Sequence, residues 1–75
     1  MQVIYIGPTI PGLVERNRIY LGHLPEEVTQ RRIEDPYFGR LFVPVDQLIT
    51  ARQEMETPGS VLAVSFKKVL ESLKG

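Results

Sequence analysis

Apolar residues alternate with period two near the start of this chain and recur every three or four residues near its end. Prolines fall between these stretches, and the residue before a proline is steered out of the helical region, so each proline marks an element boundary. Residues 2–6, Gln-Val-Ile-Tyr-Ile, are rich in β-branched and aromatic side chains and predict a strand. Ile4 and Ile6 share one face of it, Val3 and Tyr5 the other. Residues 18–21, Arg-Ile-Tyr-Leu, predict a second strand, with Ile19 and Leu21 opposed in sense to Arg18 and Tyr20. The two are expected to pair antiparallel across a connection of about ten residues, too long for a two-residue turn.

A helix is expected to start at the segment Gly22-His23-Leu24-Pro25-Glu26-Glu27 and to run to about Glu34. Proline suits the first helical position, Glu26 and Glu27 suit the positive end of the helix dipole, and Arg31 and Arg32 suit the negative end. Leu24, Val28 and Ile33 form a thin apolar stripe, and Asp35-Pro36 closes the helix. The aromatic stretch Tyr37-Phe38-Gly39-Arg40-Leu41-Phe42-Val43 predicts a third strand over 41–43. Pro44 opens a second helix over about 45–55, with Val45, Leu48, Ile49, Arg52 and Met55 on one face. Thr57-Pro58-Gly59-Ser60 ends it. Residues 61–64 alone would read as a strand, but Leu62, Phe66, Val69 and Leu73 continue at helical spacing behind Ser60, a good N-cap, so 61–73 is expected to be a third helix. The pattern predicts an α+β fold, with a small two- or three-stranded antiparallel sheet packed by two or three short helices in one domain spanning 1–75.

Between the first two strands lies Gly7-Pro8-Thr9-Ile10-Pro11-Gly12. A glycine-rich loop after a strand suggests anion binding, but Pro8 and Pro11 carry no N–H, and no Walker-type lysine follows. The Pro-x-x-Pro spacing also fits a polyproline ligand, a pattern that any two prolines three apart satisfy. The first reading is a rigid connector with preset dihedrals. The second is a docking loop in which Ile10 and Leu13 are exposed apolar tips.

The 75 residues carry nine basic and nine acidic side chains, five of each sign in 1–40 and four of each in 41–75. Nucleic-acid binding draws on clustered Lys and Arg, and this chain has no basic excess. It has no cysteine, which removes disulfides, thiolate metal sites and cysteine nucleophiles. His23 is the only histidine and suits a turn or helix start better than a metal site or catalysis. Glu34 and Asp35 point about 100° apart on a helix end, poor geometry for shared acid–base work. Arg31-Arg32 and Lys67-Lys68 have acidic neighbours and are expected to be solvated. No cofactor, metal or small-molecule substrate is expected, and no enzyme activity. The start of the chain lacks signal-peptide character and no apolar run has membrane-spanning length, so a cytoplasmic setting without membrane contact is expected.

The series Tyr-Ile-Gly-Pro-x-Ile-Pro-Gly (Tyr5 onward), Gly-x-Leu-Pro (Gly22 onward), Leu-Phe-Val-Pro-Val (Leu41 onward) with Leu48 and Ala51, and Gly59-Ser60 resembles short uncharacterised proteins encoded in phage and prophage regions of Gram-positive bacteria, near structural genes. The resemblance covers most of the chain through turns and core positions, and it implies a virion, assembly or accessory role with no catalytic residues to carry over. Relatives of this kind often have Gly at the place of His23.

If one face of the first two strands is uncovered, Val3, Tyr5 and Tyr20 form an apolar patch of the kind that marks protein interfaces. The expected function is therefore a non-enzymatic protein-binding module, engaging a protein partner or a second copy. Its contact residues would be Pro8, Ile10, Pro11 and Leu13 of the loop, with Tyr5 and Tyr20 of the sheet. A small regulatory nucleic-acid-binding protein is the alternative.

Overall fold

The computed structural model describes residues 2–74, so Met1 and Gly75 of the expected 1–75 domain lie outside the described residues. The elements run β1 (Gln2–Tyr5), β2 (Ile19–Leu21), α1 (Glu26–Glu34), α2 (Pro36–Arg40), β3 (Phe42–Pro44), a 3-10 turn (Val45–Gln47), α3 (Leu48–Glu56) and α4 (Val61–Leu73). The sheet has the order β2-β1-β3, and both pairings are antiparallel. This is the α+β class that the apolar pattern predicts.

Register decides which side chains meet. Val3 lies opposite Tyr20 and Pro44, and Tyr5 lies opposite Phe42. Residues directly opposite project to the same face, so Val3, Tyr5, Tyr20 and Phe42 share one side of the sheet. Ile4, Ile19 and Val43 share the other.

The aromatic side is the core. Tyr5 and Phe38 are completely buried, and the Tyr5 ring centroid is 5.5 Å from that of Phe38 and 4.9 Å from that of Phe42. Phe38 meets Phe42 edge-on at 5.2 Å, and Tyr20 approaches Phe42 at 6.1 Å. Tilted and edge-on rings are the arrangements the ring quadrupole favours. Val28 of α1 and Phe38 of α2 cover this face, while Leu41 is fully buried at the start of β3. On the other side Ile4 and Ile6 are buried as well, with Val45, Leu48 and Met55 packed against the same core. Helix α4 packs on both α2 and α3 and closes it with Leu62, Phe66 and Val69.

Helix α2 is the element that the apolar pattern does not predict. Asp35-Pro36 ends α1, and it also starts α2: the Asp35 carboxylate accepts hydrogen bonds from the backbone N–H of Tyr37 at 3.0 Å and of Phe38 at 3.3 Å, with Pro36 in the first turn. The aromatic segment therefore begins as a helical turn, and the strand shifts to Phe42–Pro44 instead of 41–43. Pro25 caps α1 instead of occupying its first turn. Three apolar positions expected on buried stripes face outward: Ile33, Ile49 and Leu73. Ser60 caps α4 as expected, accepting from the Ala63 N–H at 3.1 Å.

Candidate protein-docking surface

The proline-rich connection is a folded hairpin. The Tyr5 hydroxyl, reaching through the core, donates to the Pro8 carbonyl at 2.7 Å. Ile10 and Val14 then bridge antiparallel, and the Leu13 N–H donates to the Ile10 carbonyl at 3.0 Å. Pro11 and Gly12 occupy the corner, with Gly12 at φ +80°, the residue order and dihedral sign of a type II turn. Thr9 accepts from the Arg16 N–H at 3.1 Å and ties the two arms together. Pro8 and Ile10 are consequently buried, while Pro11 is exposed and Leu13 half-buried.

A second turn delivers the chain into β2. The Arg18 N–H donates to the Glu15 carbonyl at 3.2 Å, and Asn17 takes the left-handed conformation, φ +68°. The Tyr5 N–H donates to the Arg18 carbonyl at 3.0 Å, and the Asn17 N–H donates to the Tyr5 carbonyl at 2.7 Å. Two residues of one strand thus oppose one residue of the other, a β-bulge whose first residue is left-handed. Asparagine is among the few side chains that adopt this conformation readily. The Arg52 guanidinium donates to the Asn17 side-chain carbonyl at 3.3 Å, joining α3 to the bulge.

The bulge sets which backbone groups of β2 stay open. Arg18 points its carbonyl at β1, so alternation sends the N–H and C=O of Tyr20 inward and those of Ile19 and Leu21 to the free edge of the sheet. Their side chains also face outward, Ile19 being 51% and Leu21 68% exposed. Ile49, 76% exposed, sits one turn before Arg52 on α3. An unpaired edge with two bare aliphatic side chains is a template for another strand.

Four arginines lie over aromatic rings: Arg16 over Phe66 at 5.3 Å, Arg18 over Tyr20 at 5.7 Å, Arg32 over Phe42 at 5.3 Å and Arg40 over Tyr37 at 5.9 Å. These are cation–π distances; Arg32 is exposed, on the solvated face expected of it, while its guanidinium lies over Phe42. Burial pushes the Tyr5 phenol well above its ordinary value near 10; Tyr20 adds to the rise and Arg31 opposes it. A raised folded-state value means that the fold holds the neutral phenol. The stability this contributes is complete below about pH 10, where an unfolded tyrosine begins to ionise, and falls as pH rises further. Melting temperature measured from about pH 8 upward is therefore expected to drop beyond pH 10 in the wild-type protein and to drop less steeply in Tyr5→Phe. Equal slopes would refute the assignment.

Of the six residues expected to bind a partner, four are interior. Tyr5 is fully buried, Tyr20 is 8% exposed, and Pro8 and Ile10 are covered. The patch of Val3, Tyr5 and Tyr20 is not formed, because α1 and α2 close over that face. Pro11 and Leu13 stay accessible, but Leu13 borders α1 on the aromatic side, whereas Ile19 and Leu21 face the opposite side. The loop and the sheet edge are thus separate surfaces. Ile19 and Leu21 are the residues missed. Alternation in Arg-Ile-Tyr-Leu allows either pair inward, and polarity wrongly favours burying the aliphatic pair.

Beside Leu13, a cleft of about 420 Å³ is lined otherwise by Glu26, Glu27, Gln30, Arg31 and Glu34 of α1. Five of those side chains are charged or polar, whereas small-molecule sites present a mainly apolar wall. His23 is exposed, in the turn before α1. Among the described residues, no three His, Asp or Glu side chains are grouped to hold a metal ion, and no helix is long and apolar enough to cross a membrane. No family model matches the chain, and no curated protein or solved structure matches it either.

Proposed function

We propose that this chain is a non-enzymatic protein-binding module that takes up an extended protein segment at the free edge of β2. The observation that supports it is the coincidence, at Ile19 and Leu21, of outward backbone hydrogen-bonding groups and exposed aliphatic side chains. In strand addition the backbone supplies affinity and alternate side chains supply selectivity. A partner strand rich in β-branched residues fits, because its apolar side chains would lie beside Ile19 and Leu21 on one face. A role among phage assembly or virion accessory proteins is the setting implied by the resemblance of the turn and core residues. The nucleic-acid alternative is less well supported: Arg16 and Arg18, next to this edge, lie over aromatic rings, and the chain has no basic excess.

The test is selection of binders from a random peptide library, followed by amide mapping. Selected peptides are expected to shift the amide signals of Ile19 and Leu21 and to lose at least tenfold in affinity for Leu21→Lys, a change at an exposed side chain that leaves the fold intact. Peptides that bind without disturbing β2, or that bind Leu21→Lys equally well, would reject the proposal.

A further inference from the structure

We infer that the strand received at the β2 edge is β2 of a second copy, so that the chain forms a two-fold dimer through one continuous six-stranded sheet. This rests on the docking reading above and names its partner. The first support is self-complementarity. An antiparallel pairing centred on Tyr20 sets Ile19 of each copy opposite Leu21 of the other. These are the residues whose N–H and C=O point outward, so each of the two symmetry-related pairs exchanges both of its backbone hydrogen bonds. The same register joins the exposed Ile19 and Leu21 side chains of both copies into one apolar strip on one face. On the other face the two Tyr20 rings lie beside the axis.

Backbone geometry favours the antiparallel direction. It places Ile19 and Leu21 of the two copies in closely bonded pairs, and antiparallel ladders are slightly more stable per residue than parallel ones. A formal net charge of zero leaves little long-range repulsion between copies.

The assembly also closes. The other edge of the sheet is β3, whose last residue, Pro44, has no N–H to offer an incoming strand. A contact that uses the same surface on both copies ends at two. Standard interfaces bury about 800 Å² per partner, close to a sixth of the 5133 Å² surface of this chain. A three-residue strand with its flanks covers less than that, so the dimer is weak and concentration-dependent.

Sedimentation velocity and amide spectra, recorded from micromolar to millimolar protein, test this. With rising concentration the sedimentation coefficient is expected to move from monomer to dimer while the Ile19 and Leu21 amide signals shift. Leu21→Lys is expected to abolish both effects with an unchanged melting curve. A wild-type protein that stays monomeric at millimolar concentration overturns the dimer, as does a dimer that Leu21→Lys leaves intact. The peptide experiment separates the two ideas: a monomer whose β2 amides still respond to selected peptides removes only the self-pairing, and one that also fails to bind peptides removes the docking reading too.

Discussion

Phe38→Ala is expected to remove a large share of the stability of this protein. The side chain is completely buried between the Tyr5 and Phe42 rings, at centroid distances of 5.5 and 5.2 Å. Truncating a buried phenylalanine costs about 3–5 kcal/mol, combining lost transfer free energy with the cavity left behind. A chain of this length has roughly 4–11 kcal/mol in total, at about 0.05–0.15 kcal/mol per residue. The cavity has little chance to collapse, because the Tyr5 and Phe42 rings beside it are themselves buried. Helix α2 has only five residues and is anchored by this ring, so its loss also loosens the contact with α4. Denaturant titration followed by circular dichroism is the measurement. A loss of unfolding free energy below about 2 kcal/mol would show that the aromatic cluster is not the stabilising centre. Phe38→Leu, which keeps most of the volume, should lose far less.

Gly7→Ala is expected to cost about 3 kcal/mol, an unusual result for adding one methyl group to a connecting loop. A Cβ at Gly7 would lie 2.5 Å from Leu41 Cδ1, 2.6 Å from the Tyr5 hydroxyl oxygen and 2.7 Å from Tyr5 Cζ. Both neighbours are fully buried and have no free direction in which to move. Overpacking of this kind costs about 1–3 kcal/mol. Displacing the Tyr5 hydroxyl also breaks its 2.7 Å bond to the Pro8 carbonyl, and leaving a buried polar group unpaired adds about 1–3 kcal/mol. Each kcal/mol lowers the melting temperature by about 4–8 °C in a domain of this size, so a drop of about 12–24 °C is expected. Gly12→Ala is the control. It has open space around it but a φ of +80°, so it loses only the backbone contribution, about 1–2 kcal/mol. Equal losses at the two glycines would mean that backbone freedom, not the contact with Tyr5, explains Gly7. Adding Tyr5→Phe to Gly7→Ala should recover part of the loss, since the oxygen nearest the new methyl is gone.

Both predictions concern features that the linear pattern shows only in part. Phe38 is legible as a core residue, because aromatic side chains in a chain this small must mostly be buried. Its place on a helix is not, since Asp-Pro carries the signal for ending one helix and for capping the next, and only the packing of Phe38 under Tyr5 selects the second. Gly7 reads as one more flexible loop residue. Its real constraint comes from Tyr5, two residues earlier, and Leu41, thirty-four residues later, which no local window contains.

The same division runs through the candidate site. Prolines, glycines, β-branched runs and the four-three-four spacing of Leu62, Phe66, Val69 and Leu73 determine by themselves where β1, β2, α1, α3 and α4 lie, because these signals act on the backbone within a few residues. They also determine that the connection after β1 is a shaped turn with few amide donors. Which side of β2 is buried belongs to tertiary structure alone. A strand of period two has two equivalent faces, and Arg18-Ile19-Tyr20-Leu21 offers a plausible interior on each. The choice falls to the left-handed Asn17 bulge, which sets the register, and to Phe42, which arrives from β3 to receive Tyr20. Once those long-range contacts form, Ile19 and Leu21 must face outward, along the free edge of the sheet.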